Sequence, residues 1–280
     1  MKACLICGAS RHRVIFEEFG IDILRCRQCG HVFSSYDAQE HYDGYFGSEV
    51  GPEDQFYWDA GHRAMYEDFG RMFLAGRTGR LLDVGCGLGF FLKAVSAYPG
   101  WVVTGVEISP AAVHYAEEQL GLANVIRGTV EDAELTEHSF DIITLWDVIE
   151  HISQPDKLLL RLGRLLRNEG QVFIHTPNVA IQVPKARLKK LLKGMTPGAH
   201  YLEARDHLHL YSMKSLCILL TRNGFHRISF THLRPIQGVA GSRSEILRLV
   251  KNIWFYSARS IDRFTAGRVN LDNLFIVAKK

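Results

Sequence analysis

The feature that most constrains the fold is a glycine-rich turn between an apolar run and an amphipathic run. The segment RLLDVGCGLGFFLKAV (residues 80–95) places Gly85, Gly87 and Gly89 directly after Asp83 and its neighbour. Glycine inside an element costs stability, so three in such a short span indicate a tight turn or the close approach of a ligand. The segment therefore predicts a buried strand, a turn, and a helix that begins near residue 90.

Strands and helices alternate along the rest of the chain. A helix is predicted over 55–76, and further helices follow most of the strands. Ser109 and Ser212 are typical N-caps, and Gly224 marks a helix end. Alternation of this kind predicts an α/β fold with a doubly wound, mostly parallel sheet. The seven predicted strands lie at 80–86, 101–108, 124–129, 140–147, 170–177, 226–233 and 273–280.

Four of the six cysteines form two pairs in a C-x2-C-x18-C-x2-C pattern. This spacing is typical of a Cys4 zinc site, because two tight knuckles can each direct two thiolates at one tetrahedral ion. A redox CxxC motif and iron–sulfur ligation are the alternatives. The pattern leaves no open coordination position, so we expect a structural Zn²⁺. The ligands would be Cys4, Cys7, Cys26 and Cys29, whereas Cys86 and Cys217 lie in apolar patterns that indicate packing.

These patterns divide the chain into three predicted segments. Residues 1–35 form a small N-terminal zinc ribbon, and 36–54 form a linker or lid. Residues 55–280 form the α/β domain, with helical insertions at about 180–211 and 238–268. Four aromatic residues near the linker either close a lid over the site or pack the ribbon against the core: Tyr42, Tyr45, Tyr57 and Trp58.

The residues around the glycine turn indicate which ligand it holds. The dinucleotide fingerprint is G-x-G-x-x-G, but here the spacing is G-x-G-x-G and Phe90 occupies the place of the third glycine. A bulky side chain there disfavours a pyrophosphate on the helix N-terminus. Asp83 precedes the turn, Glu107 ends the second strand, and the acids at 131–132 follow the third. This set predicts a ligand with a ribose, an adenine and an amino-acid tail.

The chain contains four longer blocks together: LLDVGCGLGFFLKAV, VTGVEISPAAVHYAEEQLG, GTVEDAELTEHSFDIITLWDVIEHISQPDKLLLRLGRLLRNEGQVFIHTPN and DHLHLYSMKSLCILLTRNGF. Over residues 55–280 it resembles a class I S-adenosylmethionine-dependent methyltransferase, similar to the small-molecule group that includes the ubiquinone-pathway methyltransferases. The resemblance implies a Rossmann-like, seven-stranded sheet with the last strand antiparallel and helices on both faces. It also implies S-adenosyl-L-methionine as cofactor.

The resemblance further implies which residues bind that cofactor. Glu107 would bind the ribose, and Ile108 would lie against the adenine. Glu131 or Asp132 would reach the adenine amino group, and Trp146 would flank the sulfonium. The cradle for the methionine part would comprise Asp83, Gly85, Cys86 and Gly87.

Methyl transfer to a hydroxyl needs a general base, usually His, Asp or Glu. The chain offers His151, His207 and His209 as the leading candidates, and His207 and His209 share one face if their segment is extended. Each of them is also consistent with a supporting or core role. Further candidates are Asp147, Glu150, His175, Asn178, Asp206 and Tyr211.

Three functions are compatible with these patterns. The first is methyl transfer to O or C of a small biosynthetic intermediate, such as a sugar or a sugar nucleotide. The second is RNA or protein methylation with the ribbon gripping the polymer, and the third is a non-catalytic cofactor-binding module. The segment WDVIE replaces the Asp/Asn-Pro-Pro-aromatic tetrad of base-amine methyltransferases, which disfavours amine methylation of bases. The ribbon has few cationic residues, so nucleic acid is not the expected partner.

Charge is distributed unevenly. Residues 185–268 carry 16 Lys and Arg against four acids, a local net charge of +12 in a chain of net +3. Two amphipathic helices, at 184–194 and 244–264, account for much of this surface. They either form a solvated cover or homodimer contact, or they frame an acidic substrate or a peripheral membrane contact. The N-terminus MKACLIC lacks the apolar run of a signal peptide, so we expect a cytoplasmic protein.

Overall fold

The computed structural model describes residues 2–37, 51, 56–196, 200–237 and 245–280, including the side chains of all except 245–248. Tyr42 and Tyr45, and most of the predicted linker, lie outside the described residues. The strands are β1 (His12–Glu18), β2 (Ile21–Cys26), β3 (Val32–Ser34), β4 (Gly79–Val84), β5 (Trp101–Glu107), β6 (Val125–Arg127), β7 (Phe140–Trp146), β8 (Leu166–Thr176), β9 (His209–Leu210), β10 (His226–Thr231) and β11 (Leu274–Lys279).

Seven of these strands form the main sheet, in the order β10-β11-β8-β7-β4-β5-β6. Strands β4 to β8 pair in parallel, whereas β11 runs antiparallel to both β8 and β10. The predicted α/β fold, with its mostly parallel sheet and antiparallel last strand, is confirmed. The chain passes from β4 outward to β6 and then returns to β7 on the other side of β4. That reversal opens a crevice at the carboxyl ends of β4 and β7, where α/β sheets bind their ligands.

The helices cover both faces of this sheet, which explains why successive residues of β4 and β7 are buried on both sides of the strand. Ser109 accepts a hydrogen bond from the amide of Ala112, with Pro110 at the first helical position, and Ser212 caps the helix before Gly224. Both predicted N-caps are confirmed. The helices are α1 (Arg63–Phe69), α2 (Phe90–Ser96), α3 (Pro110–Glu118), α4 (Pro155–Leu165), α5 (Val179–Lys193), α6 (Met213–Arg222) and α7 (Glu245–Phe264).

The helix predicted over 55–76 is present but irregular. Helix α1 is flanked by π-helical turns at Tyr57–Gly61 and Gly70–Leu74. A side chain at Gly70 would collide with the ring of Tyr98, so the turn at Gly70 brings the backbone against that ring. The spacing of apolar residues predicts which face of the segment is buried. It does not reveal the π-helical turns, because one wide turn hardly changes that spacing.

The N-terminal residues form a second, smaller sheet with the order β1-β2-β3-β9. Its fourth strand comes from the segment that follows α5, because Val32 pairs with Leu210 and Phe33 with His209. Apolar residues of β1 to β3 share one buried cluster with α5 and residues 202–210. The ribbon is therefore built into the larger fold through a shared sheet and a shared core.

The two amphipathic helices are present and leave apolar residues exposed. On α5, Leu191 is 81% exposed, and Leu188 and Leu192 are also exposed. On α7, Ile253 and Trp254 are exposed while Phe255 is buried. In the part of the chain that the structure describes, no helix is both long and apolar enough to cross a membrane.

Candidate active site

The three glycines after β4 form the floor of a cavity. Gly85, Gly87 and Gly89 have φ angles of 69°, 53° and 84°, a region that other residues rarely adopt. A Cβ atom at Gly85 would lie 2.7 Å from Val148, and one at Gly89 would lie 2.6 Å from Leu122. The glycines are thus required both by the left-handed turn and by the close packing around it.

Asp83 lies beneath this turn with only 1% of its surface exposed. Its Oδ1 accepts a hydrogen bond of 2.6 Å from the hydroxyl of Thr144 on β7. Burial raises the pKa of Asp83 to about 8, although the Thr144 bond acts in the opposite direction. Asp83 is therefore mostly protonated at neutral pH, and a cationic ligand group beside it would favour its ionised form.

Glu107, at the end of β5, is oriented by two backbone amides. Its Oε2 accepts from Gly87 N–H and its Oε1 from Ser109 N–H, both at 2.8 Å. Burial raises its pKa, while these amide bonds favour the charged form. A carboxylate has about four lone-pair positions, so both oxygens retain acceptor capacity toward a vicinal diol.

All nine residues that the sequence assigns to the cofactor line this one cavity, which has a volume of about 340 Å³. Ile108 is half-buried beside Glu107, Glu131 is half-buried and Asp132 is exposed. Cys86 is buried and packs beneath the turn against Gly105. The structure therefore brings together the turn, the two carboxyl groups and the two acids at 131–132 around one cavity.

Aromatic rings close one side of the cavity. The ring of Trp146 lies 4.9 Å from those of Phe91 and Phe173 and 5.6 Å from that of Tyr66. Tyr66 also lines the cavity, as does Trp58, whose ring stacks on His62 at 4.9 Å. Sequence reasoning found Trp58 as a lid candidate but missed Tyr66, because Tyr66 lies in the apolar stripe of a helix and has no motif of its own.

Asp147 is the polar group at the edge of this aromatic wall. Its φ angle of 52° is unusual for a non-glycine residue, and such strain concentrates at functional sites. Its carboxylate lies 3.0 Å from Nδ1 of the buried His175, whose Nε2 lies 3.1 Å from the amide nitrogen of Asn273. Because that amide donates to Nε2, Nδ1 carries the proton and faces Asp147. Burial alone would raise the pKa of Asp147, but His175 outweighs it and the pKa is lowered.

With this geometry in place, comparison with known proteins identifies the domain. The family model described as a methyltransferase domain matches residues 57–229, more than half of the chain. The chain belongs to the methyltransferase domain family. The matched range includes the glycine turn, both carboxyl groups and the aromatic wall.

The methyltransferase domain has curated relatives and solved neighbours. It is 30% identical over 149 residues to the ubiquinone biosynthesis O-methyltransferase of Aeromonas salmonicida, covering 49% of this chain and 59% of that protein. It is 36% identical over 133 residues to the enzyme of that name from Nitrosococcus oceani, covering 46% and 52%. The chain thus spans little more than half the length of these relatives. A SAM-dependent methyltransferase from Aquifex aeolicus has a TM-score of 0.51 at 17% identity, covering 82% of this chain and 98% of that one, which supports the fold.

The three candidate histidines of the methyltransferase domain divide between two cavities. His151 lines the large cavity, and its Nδ1 lies 3.0 Å from the carbonyl oxygen of Asp206. Burial lowers its pKa to about 4. His207 lies next to it, with ring centroids 4.8 Å apart, but lines a second, smaller cavity. A carboxylate oxygen of Glu150 and one ring nitrogen each of His151 and His207 lie within 4.8 Å of one another.

His209 lies further from the large cavity. It lines the second cavity as well, and its Nδ1 lies 3.3 Å from Nε2 of His31 in the ribbon. Its backbone amide donates to the carbonyl of Glu150. Burial lowers its pKa to about 3, so it is neutral. This histidine joins the methyltransferase domain to the ribbon, and its placement argues for a supporting role.

The four cysteines of the ribbon converge on one point. Their sulfur atoms all lie within 4.8 Å of one another, with 3.5 Å between Cys4 and Cys29 and between Cys7 and Cys26. Gly8 and Gly30 have φ angles of 72° and 82°, and their amides donate back to the carbonyls of the first cysteine of each pair. Two knuckle turns therefore face each other, as the spacing predicts.

Proposed function

We propose that the protein is an S-adenosylmethionine-dependent methyltransferase that acts on O or C of a small biosynthetic intermediate. The observation that carries this proposal is the convergence of Asp83, the glycine turn and Glu107 on one cavity of about 340 Å³. The names of its relatives support it, because both are called O-methyltransferases. A small-molecule substrate is also favoured by the ribbon, because its apolar face packs inside the fold and is not available to grip a polymer.

When bound, S-adenosylmethionine supplies a methyl group already activated by a sulfonium. The residues of the chain then bind, orient and exclude water. Glu107 would accept hydrogen bonds from both ribose hydroxyls, and Asp83 would face the cationic methionine part. Ile108 would lie against the adenine, with Glu131 or Asp132 at its amino group. Trp146 would form the dry wall beside the sulfonium.

A hydroxyl acceptor must lose a proton during transfer. His151 lines the cavity and is neutral at physiological pH, because burial lowers its pKa to about 4. Its Nδ1 lies 3.0 Å from a carbonyl oxygen, so Nδ1 carries the proton and Nε2 is the basic nitrogen of the ring. Asp147 also lines the cavity, with its charge supported by His175. We assign proton acceptance to His151 and orientation of the methyl acceptor to Asp147. His207, whose ring contacts that of His151, would support it.

We also propose that the cysteine cluster binds a structural Zn²⁺. A tetrahedral site with Zn–S distances of about 2.3 Å separates its sulfurs by about 3.8 Å. The observed separations of 3.5 Å fit that geometry far better than a disulfide bond. Because all four positions would be occupied by thiolates, this ion would hold the ribbon together and take no part in methyl transfer.

The experiment that tests the function is methyl transfer from labelled S-adenosylmethionine to a panel of phenols, sugars, sugar nucleotides and RNA. We expect transfer to a small molecule and none to RNA. Transfer to RNA alone would reverse the choice between small molecule and polymer. Absence of transfer together with absence of cofactor binding would refute the proposal.

A further inference from the structure

A second cavity, of about 100 Å³, lies directly behind the histidine pair. His151 lines the large cavity and His207 the small one, and their rings are in edge contact. The small cavity lies beyond the carboxyl ends of β7 and β8, between the start of α5 and residues 201–210. The small cavity therefore lies next to the large one, across the histidine pair.

One residue that lines the small cavity, Glu150, has a buried polar atom without a hydrogen-bond partner among the described residues. Glu150 is 1% exposed, and its Oε2 accepts a hydrogen bond of 2.9 Å from the hydroxyl of Thr176. Its Oε1 is buried and has no hydrogen-bond partner among the described residues. Such an atom costs free energy unless a ligand satisfies it. Burial raises the pKa of Glu150 well above its usual range.

The other polar groups of the small cavity restrict what can enter. None of the described residues that line the small cavity is Lys or Arg. Glu203 and Gln182 are among its lining residues. Burial lowers the pKa of His207, whose Nε2 lies 3.2 Å from the carboxylate of Glu203. An anionic group here would have no Lys or Arg countercharge among the residues that line the cavity, and burying it would be costly. Hydroxyl groups, which both donate and accept, match this lining.

The ribbon holds the outer wall of the small cavity. Glu18, at the end of β1, is 2% exposed and accepts hydrogen bonds from three backbone amides of the wall. Its Oε1 accepts from Tyr201 and Leu202, and its Oε2 from Ala204 at 2.8 Å. Ser34 donates to the carbonyl of Ala204. A buried carboxylate that accepts three amide bonds fixes the path of that backbone.

We propose that the small cavity is the acceptor subsite of the methyltransferase, that it takes an uncharged, hydroxyl-bearing group, and that Glu18 of the ribbon is the positioning residue for its wall. This proposal rests on the proposed function. It refines the expected acidic substrate, since any anionic part of the acceptor would have to lie outside this cavity.

The test is calorimetry on the full, zinc-loaded chain saturated with S-adenosylhomocysteine. The uncharged probes are catechol and methyl α-glucopyranoside, and their anionic counterparts are 3,4-dihydroxybenzoate and methyl α-glucuronoside. We expect at least one uncharged probe to bind tenfold or more tightly than its counterpart. Glu18→Gln should weaken that binding at least fivefold without changing zinc content or affinity for S-adenosylhomocysteine.

Two further variants make the test specific. Glu17→Gln is the matched control, because Glu17 accepts from Gly20 in its own hairpin and should leave probe binding unchanged. Gln182→Leu changes the cavity lining without touching the ribbon and should weaken probe binding even if Glu18→Gln fails to fold.

Several results would overturn the proposal. These are binding of no probe, equal or tighter binding of the anionic counterparts, and equal effects of Glu17→Gln and Glu18→Gln. Saturable Mg²⁺ binding that His207→Gln abolishes would make the cavity a cation site instead. If the wild-type protein does not bind S-adenosylhomocysteine, the proposed function itself is refuted. If it binds S-adenosylhomocysteine but no probe, only the acceptor subsite is refuted.

Discussion

Ionisation of Asp83 should link cofactor binding to pH. Burial raises its pKa to about 8 in the ligand-free protein, and a cationic methionine part requires the carboxylate. Because one pKa unit corresponds to about 1.4 kcal/mol, removing the proton at pH 7 costs about that amount. The apparent Kd is multiplied by about 100 at pH 6, about 11 at pH 7 and about 2 at pH 8. Affinity should therefore rise about fiftyfold from pH 6 to pH 8 and then level off.

The assay is calorimetric titration with S-adenosylhomocysteine between pH 6 and pH 9, in buffers that differ in ionisation enthalpy. We expect release of about 0.9 proton per ligand at pH 7, since the free carboxyl is then about nine-tenths protonated. Asp83→Asn should weaken binding and remove the rise in affinity between pH 7 and pH 8. Thr144→Val removes the hydroxyl bond to Asp83 and should shift the profile to higher pH.

Glu131→Gln is the control, because it changes a rim carboxylate that lines the same cavity and should preserve the pH profile. A wild-type affinity that is independent of pH, with no proton released, would refute the reasoning about Asp83.

Three further predictions concern other parts of the fold. Cys26→Ser should release about one Zn²⁺ per chain while S-adenosylhomocysteine binding persists, as metal analysis and calorimetry would show. Asp272 and, to a lesser extent, Asp262 raise the pKa of His232. The stability that protonated His232 contributes to the fold is therefore fully present below its unfolded pKa and is lost as pH rises through its folded pKa. The melting-temperature difference between wild type and His232→Asn should therefore shrink from pH 6 to pH 9. Leu191→Ser should change the free energy of unfolding by less than about 0.5 kcal/mol, measured by urea denaturation, because the side chain is exposed.

Those three predictions have equally direct counter-results. Cys26→Ser protein that retains its metal, a His232→Asn difference that grows with pH, or a Leu191→Ser variant that unfolds at much lower urea would each contradict the corresponding argument.

The large cavity could be predicted from the sequence because its determinants are local. The glycine turn, Asp83 and Glu107 each follow a strand, and parallel strands bring their carboxyl ends to one edge of the sheet. Alternation of strands and helices then predicts the strand type and the crossovers. The cysteine knuckles are equally local, since each pair needs only its own turn.

The small cavity could not be predicted, because its parts are distant in sequence. The bond from Ala204 N–H to Glu18 joins residues 186 positions apart, and His31 meets His209 over 178. In the sequence, Glu18 is one of two adjacent acids on a short strand, and nothing separates the buried acid from the exposed one. Asn273, which sets the tautomer of His175, likewise has no pattern that marks it.

The contacts of the basic surface could not be predicted from the sequence either. Charge counting found α5 as a cationic helix, but it does not show which of its cations are already engaged. In the structure, Lys190 donates to the carbonyl of Glu17 and lies over the ring of Phe16, so it fastens the ribbon. Lys189 lies over the ring of Tyr201, next to the small cavity. A dimer contact or a membrane contact of this surface stays a prediction.

The most direct test of the central claim is one calorimetric experiment on wild type and Glu107→Ala, with S-adenosylhomocysteine and NADH as ligands. We expect one S-adenosylhomocysteine per wild-type chain and no binding of NADH. In folded Glu107→Ala the affinity should fall at least tenfold, since each lost hydrogen bond to a charged acceptor is worth about 1.5–3 kcal/mol. Binding of NADH in place of S-adenosylhomocysteine, or an unchanged affinity in Glu107→Ala, would contradict the central claim.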